Sequence, residues 1–213
     1  MDIATSKILG GIGALLMFVG FIPGIPVYGG LPLIGLILVL AALWGLAGYF
    51  KEAGIFNNAL IGSIAGVAGV LVFVAVVLLA AVGFVSTIIP GWNGDWASLS
   101  NINPGDIGTN ITLENIGPFL ATILLAVVIL FLVLVAVAYF YRKSLRLLAD
   151  KTGVGMFRTT GTLLLIGAIL TIILIGIILI WIAMLLLAIS FFSIRTQQPQ
   201  PPTSAPTQTP TQV

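Results

Sequence analysis

No charged side chain occurs in residues 8–50, 53–94, 115–141 or 159–194, and these four blocks make up most of the 213-residue chain. A helix needs about 20 mostly apolar residues to cross the hydrocarbon of a bilayer. Each block is therefore long enough for one span, and the first is long enough for two. Charged residues are 7% of the sequence, against about 25% in soluble domains, so a soluble fold is excluded on composition. The pattern predicts an all-α, polytopic transmembrane helical bundle. It also leaves no ionisable side chain inside the hydrocarbon, where a proton relay or a coupling-ion ligand would have to sit.

The chain has no Cys and no His. Disulfides, thiolate catalysis, Cys/His zinc sites and His-ligated haem are thereby ruled out. No cofactor, metal site or catalytic group is expected. A net charge of +2 is too small to argue for a nucleic-acid partner. Asp95, Asp106 and Glu114 lack the spacing of a Ca²⁺ loop and read as solvated loop acids. Lys7 followed by the apolar run 8–22 mimics a signal peptide. Pro23-Gly24-Ile25-Pro26 offers no small-x-small cleavage site, so a retained anchor helix is expected.

Threading the chain gives about five spans. Residues 23–32 hold three prolines and three glycines and cannot continue a helix, so they separate spans at about 4–22 and 32–51. Gly54 suits the end of the second span and Asn57 or Asn58 the cap of a third, at about 58–88. A polar loop, 89–116, precedes a span at 117–141 that extends to 150 and stops at Gly153 or Gly155, with Pro118 in its first turn. A single overlong helix is expected at 158–192. Residues 195–213, rich in Pro, Thr and Gln, read as a disordered tail that cannot build a core.

The basic residues orient the bundle. Arg142, Lys143, Arg146, Lys151 and Arg158 flank one connection, whereas the 89–116 loop carries three acids and no base. The positive-inside rule makes the former cytoplasmic and the latter external. Five spans then put the N-terminus inside and the tail outside, with Arg195 as the one dissenting charge. Asn110-Ile111-Thr112 is a glycosylation sequon in the external loop.

Two connections look alike. Ala53-Gly54-Ile55-Phe56-Asn57-Asn58 and Val154-Gly155-Met156-Phe157-Arg158-Thr159 both open a long apolar helix, and each follows a helix ending in an aromatic pair. Spans 2–3 and 4–5 then form two tandem hairpins after a first helix, a parallel repeat. The run from Lys151 to Gly161, its continuation through Leu165–Leu170, Gly54–Asn58 and Leu9–Gly13 resemble an archaeal membrane-protein family of unknown function (domain of unknown function nine-nine-six). The resemblance covers most of residues 5–194. It implies an archaeal cell membrane and carries no activity or site.

Gly62, Gly66 and Gly69 put small residues on one helix face, a spacing that lets two backbones approach. That face serves an oligomer interface or packing within one subunit. The basic cluster reads as a topology determinant or as a contact for anionic lipid head groups. The expected function is non-catalytic: an accessory or structural subunit in the lipid bilayer, packing as a homo-oligomer or in a larger membrane complex. The alternative is a passive channel or small-solute transporter built from the duplicated hairpin.

Overall fold

The computed structural model describes residues 1–22, 30–89, 92, 94–101 and 112–195. Its helices are α1 (Ile3–Gly20), α2 (Gly30–Tyr49), α3 (Ala53–Ile88), α4 (Leu113–Thr152), α5 (Met156–Leu170) and α6 (Ile175–Phe192). Two 3₁₀ turns, Trp96–Asn101 and Thr171–Ile173, complete the regular structure, and no strand occurs among the described residues. Among the described residues six helices are long and apolar enough to cross a membrane. The chain is thus the all-α bundle that the charge-free blocks predict.

The sixth helix comes from the block expected to be one continuous helix at 158–192. The chain breaks there at Leu174, which adopts a left-handed conformation (φ 65°). Nothing in Thr171-Ile172-Ile173-Leu174 has the Gly or Pro chemistry of a turn, so the break is imposed by packing. Gly167 on α5 and Gly176 on α6 face each other, and a Cβ on either would run into the other's backbone. Two small faces folded against each other gain close backbone contact that one straight helix could not make.

Local chemistry sets the other ends. Asp2 caps α1 by accepting the Thr5 N–H at 2.9 Å. The Thr5 hydrogen bonds hold the Asp2 carboxyl below the usual carboxylate range, so this cap persists until the pH falls through that lowered value. α2 ends at Tyr49, where Lys51 takes a positive φ of 51° and the Glu52 N–H reaches back to the Ala47 carbonyl at 2.9 Å, a Schellman-type stop. Gly54, expected to terminate this helix, lies inside α3. Asn58 caps nothing: its amide donates to the Gly54 carbonyl within the helix. α4 begins at Leu113, capped by Thr112, which accepts from Asn115 N–H at 3.3 Å. Pro118 therefore falls in its second turn rather than its first. Gly153, at φ 71°, ends α4.

Successive helices pack antiparallel, and α6 returns to lie against α1, closing a ring. At one end of the ring Leu43 and Leu46 of α2, Ile55 of α3, Leu145 and Leu148 of α4, Phe157 of α5 and Phe191 of α6 form a fully buried core. Lys7 Nζ donates to the Ile194 carbonyl at 2.9 Å. The beginning and the described end of the chain thus share one face of the bundle. This corrects the expected arrangement with the tail leaving opposite the N-terminus, because the break at Leu174 adds one reversal.

The helices differ in reach. At 1.5 Å per residue, the 36 residues of α3 and 40 of α4 extend about 54 and about 60 Å. The 18 residues of α1 and of α6 reach about 27 Å. The α3–α4 hairpin consequently runs on past its four neighbours, held by Gly69 against Val133 and by the stacked rings of Phe84 and Phe119, 4.7 Å apart.

The hairpin at Leu174 makes a sharp prediction. In a straight helix, Gly176→Ala would raise stability by about 1 kcal/mol. Packed against Gly167, it should instead lower stability by about 1–3 kcal/mol through overpacking. Gly48→Ala, where a Cβ meets nothing within 4 Å, should leave stability unchanged or raise it. Thermal unfolding in mild detergent separates the two.

Candidate functional site

The ring encloses a cavity of about 500 Å³ on the far side of the buried core. Every helix contributes to its wall, including Met17 of α1, Leu36 of α2, Val133 of α4, Ala168 of α5 and Met184 of α6. Leu33 of α2 and Val70 and Leu71 of α3 both line it and stand more than half exposed. It therefore opens at the surface between α2 and α3. An empty, sealed void of this volume would cost on the order of 12 kcal/mol at about 24 cal/mol per Å³, comparable to the whole stability of a domain.

Its wall offers two hydroxyls, and they are bonded to each other: Ser63 Oγ lies 2.6 Å from Tyr141 OH. Ser63 also donates to the Ala59 carbonyl at 2.9 Å. A water molecule needs two to four polar partners, so the wall favours hydrocarbon over water. No sequence signal marks this pair, because 78 residues separate its members. A second hidden bond ties the same helices nearer the core, where buried Ser144 donates to the Ile55 carbonyl.

Most of the other hydroxyls in the helices point back to their own backbones, and Thr160 and Ser190 also lie 3.4 Å apart across α5 and α6. Thr160 donates to Met156 O at 2.9 Å, Thr171 to Gly167 O at 2.8 Å and Ser190 to Leu186 O at 2.7 Å. Such back-bonding satisfies the hydroxyl locally and frees nothing for a solute. Among the described residues no group of His, Cys, Asp or Glu is arranged to hold a metal ion.

Gly62, Gly66 and Gly69 all face α4 within the same chain. A Cβ on Gly62 would meet Phe140, Tyr141 and the Val137 carbonyl, and one on Gly69 would strike the Val133 side chain. Arg142, Lys143, Arg146, Lys151 and Arg158 sit on α4 and the start of α5 at the core end of the ring. Arg158 pairs with Asp150, and Lys151 with Glu52 at 3.3 Å, which joins the two similar connections side by side. Lys7 and Arg195 lie at this end as well. At the far end Trp92 and Trp96 meet edge to face at 5.1 Å. Asn110 and Asp106 lie outside the described residues.

The chain belongs to a protein family of unknown function (DUF996), whose model matches residues 31–185. It is also similar to the uncharacterized protein MJ1644 of the archaeon Methanocaldococcus jannaschii, at 35% identity over 75 residues. That match covers 35% of this chain and 42% of the relative. No solved structure matches.

The α3–α4 seam can be tested residue by residue. Gly66→Ala meets only ordinary contact with Val137 and should be tolerated. Gly69→Ala drives into the stiff, β-branched Val133 and should cost about 1–3 kcal/mol. Tyr141→Phe removes one hydrogen bond while leaving Ser63 bonded to Ala59, so a loss of about 1 kcal/mol is expected. Unfolding of the three variants in detergent ranks them.

Proposed function

We propose that this chain is a non-catalytic, multi-pass membrane protein that acts as a structural or accessory subunit, with its basic end in the cytoplasm. The observation that carries this reading is the character of the interior. No Asp, Glu, Lys or Arg enters the apolar lengths of the helices. The cavity stops at a plug of fully buried residues, among them Leu46, Ile55, Leu148 and Phe157. A channel or solute transporter needs a continuous polar path, and hydroxyls tied to their own helices do not line one.

The charges support the orientation. All eight Lys and Arg residues (Lys7, Lys51, Arg142, Lys143, Arg146, Lys151, Arg158 and Arg195) belong to the core end, while Asp95 and Glu114 flank the far connection. With six helices Arg195 joins the other bases and no longer opposes the positive-inside rule. The outer faces of α3 and α4, from Val67 to Leu79 and from Leu120 to Leu132, are apolar and uncovered within the chain. They suit lipid or a neighbouring apolar helix.

Proteoliposomes carrying the chain should swell in glycerol or potassium salts no faster than empty vesicles. Native mass spectrometry from mild detergent should give an oligomer or a co-purifying membrane protein. Solute flux well above background would favour the channel reading, and a strictly monomeric species would remove the subunit reading.

A further inference from the structure

We infer that the α5–α6 hairpin does not cross the membrane but turns round inside it, so that α1, α2, α5 and α6 reach only to about the midplane from the basic side and only α3–α4 passes through both leaflets. This rests on the membrane reading above. The argument begins with α4, because its charges bracket the bilayer. Glu114 and Arg142 are 28 residues apart, about 42 Å along a helix, and a bilayer with its head-group regions is about 40–45 Å thick. The stretch between them carries no charge. α4 therefore fits the membrane with Arg142 at one surface and Glu114 at the other.

Gly161 fixes α5 against this ruler: its Cβ would lie 3.0 Å from the Arg142 Cα, so the two residues share one depth. From Gly161 the chain climbs through the rest of α5 and one 3₁₀ turn to Leu174, about 20 Å. That distance ends near the midplane, with another 20 Å or so of bilayer still above it. α1 stops at a similar depth. The Phe18 ring stacks on Trp181 of α6 at 4.4 Å, and a Cβ on Gly20 would touch Pro32 at the start of α2.

The chemistry of the turn agrees with its depth. Ile172, Ile173, Leu174, Ile175, Ile177 and Ile178 form an exposed apolar tip, with Ile172 and Leu174 each 72% exposed. A connection at a water interface would carry polar residues, as 92–115 does with Asp95, Asn101 and Glu114. Non-helical backbone is costly in hydrocarbon unless its polar groups are satisfied internally. Here one residue, Leu174, leaves the helical region. Its N–H bonds the Thr171 carbonyl at 2.9 Å and its carbonyl accepts from Ile177 N–H at 3.2 Å. The Thr171 hydroxyl bonds Gly167 O. Trp181 Nε1 donates to the Phe18 carbonyl at 3.0 Å, meeting an acceptor at the α1 end that water would otherwise serve.

The absence of Cys makes the test direct. Single variants Ser98→Cys, Leu174→Cys, Ile172→Cys and Arg195→Cys are made in the full chain and reacted in intact cells with a membrane-impermeant maleimide. Ser98→Cys and Arg195→Cys should label from opposite sides, the second only after permeabilisation. Leu174→Cys and Ile172→Cys should lose labelling from both sides and regain it in denaturing detergent. A bimane on Leu174→Cys, in proteoliposomes, should be quenched more strongly by lipids with a nitroxide near the chain end than by lipids with one near the head group. Labelling at 174 or 172 from the Ser98 side, or stronger quenching from the head-group position, would overturn the midplane turn and leave the membrane reading standing. Release of the chain by alkaline carbonate would overturn both.

Discussion

Helices as apolar as these gain nothing from burying aliphatic surface against one another when their surroundings are equally aliphatic. What remains to hold them together is van der Waals contact at short range, and that depends on how closely two backbones approach. The bundle is built on such approaches. Gly13 on α1 lies against Gly35 on α2, Gly45 against Ser6, Gly62 and Gly69 against α4, and Gly167 against Gly176. Each contact removes at least one side chain from a seam and lets the flanking Leu, Val and Phe residues interdigitate. Where no such pair stands between α2 and α3, at the depth of Leu33 and Val70, the ring opens into its cavity.

The same constraint explains what could be read from the sequence and what could not. Charge-free blocks report environment, so the all-helical class, the Pro/Gly separation of α1 from α2 and the stop at Gly153 were legible. The hairpin at Leu174 was not, because turn prediction relies on residues that tolerate unusual backbone or prefer water, and Ile172-Ile173-Leu174-Ile175 contains none. The available hint was length: a block of 36 uncharged residues, 159–194, exceeds what one span requires. The helix starts were misplaced for a related reason. Asn57 and Asn58 look like caps, yet α3 begins earlier at Ala53, because Ile55 and Ala59 are buried in the core and hold the first turn in place.

Polar groups show the complementary half of the logic. A hydroxyl on an apolar helix can bond its own backbone, and nothing in the sequence marks which ones reach across to a neighbour. In the fold Ser144 instead donates across to Ile55 O, and Ser63 is shared with Tyr141. Both bonds cross the α3–α4 seam, within two turns of the buried core. A cross-helix hydrogen bond in such surroundings adds roughly 1 kcal/mol, and unlike a Gly contact it has direction. It fixes the register of two long helices that would otherwise slide along a seam of small and branched residues.

Charge placement then follows from the reversal at Leu174 rather than preceding it. With an odd number of helices Arg195 would stand alone on the acidic side. With six it returns to the face that holds Lys7, whose ammonium bonds the Ile194 carbonyl. That bond does two things at once. It satisfies a carbonyl left unpaired just past the α6 C-terminus and sets a positive charge against the negative end of the helix dipole. The ends of the described chain are thereby tied together, and the ring is latched at its charged end while its cavity stays open between α2 and α3.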